Sequence, residues 1–313
     1  MTSQKIDQNP GSMKTPITIL MHTLNEEINL PYSLRSVIAW ADQVILVDSD
    51  STDRTQAIAR SFGVDIISRP CTRRGLVAQR NWALEQGPIR NEWVFILDAD
   101  EEMSTELIDE VDAIVHANST AKDAYWCKFK IIFEGRWTKR SSLYPTWSLR
   151  LFRHAIVRYE QREVNAHPVV APGKEGYLKH HFLTEDRKPF RTFLDRMNDF
   201  SDLESIAYAA ILRGEKAKGA VAGRFFGSHA ERRRWMKNLY IKMPMRPVVI
   251  FLYLYVFRMG FLEGNAGLDF ALYKAMSEWL TDLKSRERIR ISNDTTRLRE
   301  GEVPQPYVRS ERV

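Results

Sequence analysis

The sequence predicts an α/β fold, with a mostly parallel sheet flanked by helices and followed by a helical C-terminal extension. Two observations predict this fold. Short apolar runs rich in β-branched residues, typical of strands buried on both faces, alternate with amphipathic segments through the first hundred residues. A stripe of apolar residues at helical spacing then covers Pro189–Arg213. The alternation favours parallel strands joined by helical crossovers.

The elements of the first hundred residues follow one another closely. The predicted strands are Ile17–Met21, Val44–Val47, Val64–Ser68 and Trp93–Leu97. The predicted helices are Leu30–Ala41, Arg54–Phe62 and Leu76–Glu85. Asp53 is a suitable N-cap for the second helix, and Gly63 and Gly87 end the second and third. Because ligands bind beyond the carboxyl ends of such strands, we expect functional residues there.

The later elements are predicted from caps and composition. Ser104 caps a helix that reaches Ala117, and Ala124–Phe152 contains antiparallel strands joined through Gly135. Pro189 opens the long amphipathic helix and Gly214 follows it. The resulting division is a disordered N-terminus (1–14), a sheet domain (15–186), a helical C-terminal region (187–284) and a mobile tail (285–313).

Composition excludes several classes of protein. With 313 residues, 44% of them hydrophobic and 27% charged, the chain is not intrinsically disordered or collagen-like. Its two cysteines exclude a disulfide framework or a cysteine-rich zinc module. The first residues lack the apolar core of a signal peptide, so we expect a cytoplasmic location.

The positive charge is concentrated in one part of the chain. The formal net charge is +6, and the segment 213–246 alone holds ten basic and two acidic residues. Ten apolar residues, 248–257, follow it, about half the length that spans a bilayer as a helix. An in-plane segment on an anionic membrane surface accounts for both features, whereas a helix buried in the core accounts only for the apolar run. We expect no nucleic acid partner.

Acidic and amide side chains follow three of the predicted strands. Asp98 and Asp100 come directly after the strand ending at Leu97, and such a pair suits Mg²⁺ or Mn²⁺, although a polar turn has the same composition. The other members of the set are Asn25, Glu26 and Asp48, with Arg80 as a cation suited to phosphate oxygens. Three acidic residues in the six positions from Asp48 to Asp53 repel one another unless a cation or hydrogen-bond donors engage them.

The joint pattern resembles the nucleotide-sugar domain of family 2 glycosyltransferases. The motifs that carry the resemblance are TLNEE (23–27), VDSDSTDRT (47–55), AQRN (78–81), WVFILDADEE (93–102), RLF (150–152), EDRKP (185–189) and GFLEGNAGLDFAL (260–272). They occur in the family's order over residues 15–284 and resemble most the branch of bacterial lipopolysaccharide-core and exopolysaccharide sugar transferases. The resemblance implies a GT-A fold, an inverting mechanism and a UDP-sugar-type donor with Mg²⁺ or Mn²⁺.

The resemblance also implies roles for single residues. Asp48 is expected to meet the nucleoside, and Asp98 and Asp100 are expected to hold the ribose and the metal–diphosphate. Asp186, beside Glu185, resembles the acidic base motif, although an acidic pair stabilised by a helix dipole has the same sequence. Glu163 is the reserve candidate for the base.

The chain departs from the family pattern at two positions. Pro168 follows His167 where many relatives carry an acid, so the base function of that site is in doubt. Thr184 stands where relatives tend to carry a histidine, and His180 or His181 is the candidate substitute as a metal ligand. The alternative for both histidines is an ordinary position in a strand.

The acceptor is expected to be a lipopolysaccharide-core, exopolysaccharide or lipid-linked glycan, reached at the inner face of the cytoplasmic membrane. Aromatic faces suit sugar rings, so Trp137, Tyr144 and Trp147 are candidates for the acceptor site, with a place in the core as the alternative. A sugar nucleotidyltransferase is the second enzyme hypothesis, but it would carry a glycine-rich basic loop where this chain has TLNEE. A non-catalytic protein that binds anionic surfaces is the third.

Overall fold

A computed structural model describes residues 14–69, 76–117, 119–156, 158–159, 168–171, 173–215, 226 and 229–299. The chain divides between Lys188 and Pro189 into two compact units, which we call the sheet unit and the helical unit. The predicted division lay two residues earlier, at 186. Glu163, the reserve candidate for the base, and His167 lie outside the described residues.

The sheet unit begins with the predicted alternation of strands and helices. Its first elements are β1 (Thr15–Thr23), α1 (Leu30–Val37), β2 (Ala41–Asp48), α2 (Thr55–Ser61), β3 (Asp65–Ser68), α3 (Leu76–Gln86) and β4 (Trp93–Ile96). Strands β3, β2, β1 and β4 pair in that order and are all parallel. The α/β fold class is therefore confirmed.

The remaining strands extend the same sheet with mixed directions. They are β5 (Glu101–Met103), β6 (Ala124–Phe133), β7 (Arg136–Trp137), β8 (Thr146–Arg153) and β11 (Glu175–Thr184), with α4 (Thr105–Ala117) after β5. Beyond β4 the order is β8, β6, β11, β5, and β7 pairs with β6. Strands β8, β5 and β7 run against the others, so the sheet is mostly parallel by strand direction. Strands β9 (Arg158–Tyr159) and β10 (Pro168–Val169) form a separate pair.

Apolar side chains fill both faces of the sheet. Leu34 of α1 and Val111 of α4 pack with Phe95 and Phe182 on one face, and all four are fully buried. Leu84 of α3 belongs to a second buried cluster. Because β1, β2 and β4 are buried on both faces, their apolar runs are almost continuous, which is why the sequence predicted them.

Helix α1 ends earlier than its periodicity predicts. The pattern continues to Ala41, but the helix ends at Val37 and β2 begins at Ala41. The Trp40 carbonyl accepts the Thr15 N–H at 3.0 Å, and Ala41 pairs with Thr15 in the sheet. Pairing with β1 therefore outweighs the local helical pattern.

The helical unit consists mainly of two long helices with shorter elements between them. Its helices are α5 (Phe190–Leu212), α6 (His229–Lys242), α7 (Arg246–Leu252) and α8 (Asn265–Arg299). A π-helical turn at Tyr253–Phe257 and a 3₁₀ turn at Gly260–Glu263 connect α7 to α8. Helix α5 confirms the amphipathic segment predicted from the sequence.

Helix α8 corrects the prediction of a mobile, aperiodic tail from residue 285. The helix continues to Arg299, and Ser285 is fully buried. The Lys284 ammonium lies 3.1 Å from a carboxylate oxygen of Asp202 in α5, and the Arg288 side chain donates to Ser205 Oγ at 2.7 Å. Packing against α5 explains a helix in this charged sequence, because tertiary contacts outweigh weak local patterns.

Among the described residues, no single helix is long and apolar enough to cross a bilayer. A pair of helical segments, Trp235–Lys242 and Arg246–Phe257, meets the length and composition criteria together but is bent by 115°. The apolar run 248–257 lies within the second of these segments, after the bend.

Candidate active site

The site lies at the edge of the sheet where β1, β2 and β4 end. Strand β1 pairs with β2 on one side and with β4 on the other, and all three are parallel. Their carboxyl ends therefore lie side by side, and the polar loops that follow them meet at one edge. This confirms the expectation that the acidic clusters share an edge of the sheet.

Asp48, the last residue of β2, is fully buried and holds two loops together. Its carboxylate accepts hydrogen bonds from the Thr23 hydroxyl at 2.9 Å, the Ser51 amide at 2.9 Å and the Gln56 side-chain amide at 2.7 Å. The Ser51 hydroxyl adds a fourth at 2.6 Å. Both carboxylate oxygens are thus engaged within the protein, so the structure places Asp48 as the organiser of the loop after β2.

The loops after β1 and β2 are connected by further hydrogen bonds. Asn25, whose φ of 55° is left-handed, accepts the Thr52 amide at 2.8 Å, and its own amide donates to Ser51 Oγ at 2.9 Å. Asp53 accepts the amide of Glu27 at 3.1 Å. Burial acts to raise the pKa of Asp53, but hydrogen bonds from Thr55 and Glu27 lower it overall. These hydrogen-bond donors offset the repulsion between the acidic side chains from Asp48 to Asp53 that the sequence implied.

Asp98, directly after β4, lies between two guanidinium groups. Arg80 of α3 donates to one carboxylate oxygen at 2.9 Å, and Arg150 of β8 donates to the other at 3.2 Å and 3.3 Å. Burial acts to raise the pKa of Asp98, yet the two arginines hold it well below its usual range. The predicted residues Asp98 and Arg80 are therefore brought together as an ion pair.

Glu101 also belongs to the cluster of Asp98, Arg80 and Arg150. Its side chain accepts the Asp98 amide at 2.8 Å and an Arg150 N–H at 2.6 Å. Burial raises the pKa of Glu101 to about 8 against the attraction of Arg150. Arg150 also lies 5.0 Å from the centre of the Phe182 ring. The RLF motif includes Arg150, but no role was predicted for it. An arginine within an apolar strand could have indicated a buried ion pair.

His22 of β1 is a buried group that sequence reasoning missed. Neither ring nitrogen has a hydrogen-bond partner among the described residues, and the residue is 8% exposed. Burial, followed by the positive charges of Arg80 and Arg150, lowers the pKa of His22 to about 3. The imidazole is therefore neutral near pH 7 and adds no positive charge to that of the two arginines.

Asn29 connects the loop after β1 to the candidate base. Its side-chain amide donates to Glu26 and to Asp186, each at 2.9 Å, and its oxygen accepts the Arg187 amide at 2.8 Å. Lys188, with 8% of its side chain exposed, forms an ion pair with Glu26. The structure thus brings Glu26 and Asp186 together. Asn29 is fully buried, and nothing in the local sequence distinguished it from a helix cap.

Glu185 is engaged differently from its neighbour Asp186. Its side chain forms an ion pair with Arg187, which also pairs with Glu102 at 2.7 Å. Its amide donates to the Asp100 carbonyl at 2.9 Å. The loop that carries Asp186 is therefore joined through its backbone to the Asp98–Asp100 turn.

A comparison with protein-family models identifies residues 18–182 as a glycosyl transferase family 2 domain. That range covers more than half of the chain and every element of the edge except the Glu185–Lys188 loop. The chain belongs to glycosyl transferase family 2. The resemblance carried by the sequence motifs is thus confirmed, and it favours a transferase over the nucleotidyltransferase and the non-catalytic binding protein.

Curated relatives of this family 2 chain include several short matches and one match over most of the chain. An uncharacterized glycosyltransferase of Rickettsia typhi is 37% identical over 38% of this chain and 40% of its own length. The matches to the first Rickettsia relatives span between 32% and 40% of those proteins. The lipopolysaccharide core biosynthesis glycosyltransferase LpsC of Rhizobium meliloti is 27% identical over 88% of this chain and 93% of its own length.

A solved structure is also similar to the family 2 chain. The crystal structure of S. aureus TarS 1-349 in complex with UDP-GlcNAc matches with a TM-score of 0.44 and 16% identity. The match covers 94% of this chain and 93% of that one.

The family resemblance implies a divalent cation, and few side chains at this edge of the sheet could coordinate it. The described residues contain no group of three histidine, cysteine, aspartate or glutamate side chains that could hold a metal. Both oxygens of Asp98 accept from guanidinium groups, and His180 pairs with Glu110 at 3.0 Å. Asp100 belongs to the same turn as Asp98, and its carboxylate is the candidate ligand. One carboxylate fits Mg²⁺ or Mn²⁺ when substrate phosphates and water supply the other ligands.

Replacement of Arg150 is expected to show that Asp98 and Glu101 depend on one buried cation. Arg150→Met leaves two buried carboxylates with less compensation and should lower the free energy of unfolding by about 3–5 kcal/mol. Above pH 8, where the Glu101 carboxylate is charged, adding Glu101→Gln to Arg150→Met should recover part of that loss, because one uncompensated charge is removed. Chemical denaturation of both single variants and the double variant measures the coupling. Strictly additive losses would show that the two side chains do not interact.

The lowered pKa of His22 predicts a pH dependence of stability. The unfolded chain binds a proton near pH 6.5, whereas the folded chain binds it only near pH 3. Stability is therefore lost as the pH falls below 6.5, by about 2 kcal/mol between pH 7 and pH 5 for this group. His22→Phe should remove that part of the slope in urea denaturation. His116→Asn, at a half-exposed position in α4, is the control and should leave the slope unchanged. An equal slope in His22→Phe and the native protein contradicts the assignment.

Proposed function

We propose that this protein transfers a sugar from a nucleoside-diphosphate sugar, of the UDP-sugar type, to a glycan acceptor, with inversion at the anomeric carbon. The observation that carries the proposal is the edge at which β1, β2 and β4 end. There the Arg80–Asp98 pair, Asp100, Glu26 and Asp186 belong to loops that are hydrogen-bonded to one another or stand on adjacent strands. Family 2 membership supports the same conclusion.

The donor is assigned to the loops after β1, β2 and β4. Asn25, Glu26 and the loop organised by Asp48 form the nucleoside side of the site. Arg80, held by Asp98, supplies a fixed positive charge for the diphosphate. Negative charge develops on that leaving group when the glycosidic bond breaks, so a preorganised cation lowers the barrier.

Asp100 is the residue that would hold Mg²⁺ or Mn²⁺ together with the diphosphate. When bound, the cation supplies further stabilisation of the leaving group's charge. Asp98 is assigned to the arginines in place of the metal, because its two oxygens already accept from Arg80 and Arg150. Asp100 is therefore expected to be needed for binding the cation, whereas Asp98 is expected to be needed for holding Arg80 in position.

Asp186 is assigned as the base. A bond forms between the acceptor oxygen and the anomeric carbon as the bond from that carbon to the diphosphate oxygen breaks. The hydroxyl proton passes to the Asp186 carboxylate. Asn29 and the Lys188 amide donate to Asp186 Oδ1 at 2.9 Å and 3.1 Å and orient the group. Asn29 links Asp186, and not Glu185, to Glu26 in the loop after β1, which favours Asp186 over Glu185 as the base.

A matched set of carboxylate variants tests this function. Release of nucleoside diphosphate is measured with a panel of nucleotide sugars, with Mn²⁺ or with a chelator, and with lipopolysaccharide-derived acceptors. Asp186→Asn keeps an oxygen for Asn29 and should lower kcat by about 10²–10⁴-fold without weakening donor binding. Asp100→Asn should abolish the metal-dependent rate. Asp109→Asn, exposed on α4, should behave like the native enzyme.

Two results contradict the assignment. Metal-dependent activity retained in Asp100→Asn removes the proposed cation ligand, and a native kcat in Asp186→Asn removes the proposed base. Failure of every nucleotide sugar to bind or react removes the transferase function itself.

The acceptor is proposed to be a lipopolysaccharide-core or related lipid-linked glycan. The support is the relative named for lipopolysaccharide core biosynthesis, which matches 88% of this chain. Such an acceptor is reached at the inner face of the cytoplasmic membrane, where we place the protein as a peripheral enzyme.

Exposed apolar side chains in the helical unit support that location. Val248, Leu252, Val256 and Phe257 are 46%, 44%, 48% and 77% exposed, whereas Leu254 of the same run is buried. Leu262, in the following 3₁₀ turn, is 59% exposed. An apolar surface of this kind beside a strongly basic stretch of sequence suits an anionic bilayer surface.

Vesicle binding tests the membrane assignment. The native protein should sediment with vesicles of phosphatidylglycerol and phosphatidylcholine and less with phosphatidylcholine alone, and added salt should weaken the binding. Phe257→Ser with Leu262→Ser should reduce binding because apolar insertion is lost. Phe200→Ser, 52% exposed in α5, is the control. Equal sedimentation of all variants, or none of the native protein, overturns the assignment.

A further inference from the structure

Strands β6, β8 and β11 place basic and aromatic side chains at neighbouring positions of the sheet. Lys128 of β6 is paired in register with Trp147 of β8 and with His181 of β11. Lys130 follows Lys128 on the same side of β6, since alternate residues of a strand share a face. With Trp137 of β7 and Lys139 beyond it, these residues form what we call the lysine–tryptophan face.

The lysines of this face lie against the tryptophan rings. The Lys130 and Lys139 ammonium groups are 4.5 Å and 5.3 Å from the centre of the Trp137 ring. The Lys128 ammonium is 5.8 Å from the centre of the Trp147 ring. Each ammonium group therefore lies over an aromatic face, which attracts its charge without neutralising it.

The positive charge of the face is not neutralised within the described residues. In that part of the chain no carboxylate lies within ion-pair distance of Lys128, Lys130 or Lys139. Three unpaired cations on one small surface repel each other, so the arrangement has a cost that an anion would remove. This pattern is typical of a surface that meets a negatively charged ligand.

Polar groups suited to sugar hydroxyls belong to the same face. The indole N–H of Trp137 has no acceptor in the described residues. His181 lies edge-on to Tyr144 with ring centres 6.4 Å apart, and burial together with Lys130 and Lys128 lowers its pKa. A neutral imidazole can both donate and accept a hydrogen bond. Trp147 is 36% exposed.

We propose that the lysine–tryptophan face binds a saccharide bearing carboxylate or phosphate groups. Indole rings stack on sugar rings, and the lysines pair with the acidic substituents. This inference rests on the proposed function. The saccharide is then the acceptor, and the enzyme extends an anionic glycan. Strand β11 supports that link, because it contains His181 and ends at Thr184, and the loop with Asp186 follows directly.

The combination of groups distinguishes this occupant from other anions. A polyphosphate would use the lysines but not the exposed ring of Trp147 or the indole N–H of Trp137. A neutral glycan would use the rings and leave the three positive charges unpaired. A charged saccharide uses both sets, which is why we commit to it.

Calorimetric binding measurements test the lysine–tryptophan face without requiring catalysis. Calorimetry compares tetragalacturonate, phosphorylated pentamannose, neutral maltotetraose and tripolyphosphate. At least one of the two charged saccharides should bind about tenfold more tightly than both the neutral glycan and tripolyphosphate, and the arm that binds identifies carboxylate or phosphate. Lys128→Gln with Lys130→Gln should weaken that binding about tenfold, and Trp147→Leu should weaken it by a similar factor.

A control with the same change of charge keeps the test specific. Lys122→Gln with Lys174→Gln removes two lysines whose ammonium groups donate to the Gly173 and Thr120 carbonyls, away from this face, and should leave binding unchanged. Equal binding of neutral and charged saccharides, equal binding of tripolyphosphate, or equal effects of the two double variants overturns the proposal. Binding of nucleotide sugars to the native protein, measured by the same calorimetry, separates the two kinds of failure. Donor binding without binding of a charged saccharide overturns the face alone, whereas failure of every nucleotide sugar to bind or react refutes the proposed function instead.

Discussion

The geometry of the sheet edge depends on the hydrogen bonds and ion pairs of the buried Arg150 side chain. It donates to Asp98, to Glu101 and to the Ile96 carbonyl, and so ties β8 to the end of β4 and the turn after it. Removing a guanidinium from water is costly unless its donors are satisfied by acceptors of opposite charge. Here two carboxylates supply them. The same contacts fix Asp98, which in turn positions Arg80, and they set the turn on which Asp100 stands.

The first half of the fold could be predicted from sequence because its signals are local. Strands buried on both faces appear as short apolar runs, and the helices between them have their own periodicity and caps. Strands β1, β2, β3 and β4 occupy the four predicted runs. The same locality identified Asp48, Asp98 and Asp100, since each is recognisable as a polar residue directly after an apolar strand.

The partners of those residues were not predictable because they are distant in sequence. Asp98 meets Arg150 across 52 positions, and Asn29 meets Asp186 across 157. No composition or periodicity in either segment indicates such a pairing. The C-terminal helix shows the same limit for secondary structure. Its charged sequence lacks a regular stripe, and contacts such as Lys284 with Asp202 in α5 explain why it is helical.

Asn29 gives the site a property that its many ion pairs do not have. Its single amide group joins the Glu26 loop to the Asp186 loop, and an amide carries no charge over the whole physiological pH range. Ion pairs weaken as the ionic strength of the medium rises, but a buried neutral link does not. The spacing between the Glu26 loop and the Asp186 loop is therefore less sensitive to salt than the ion pairs around it.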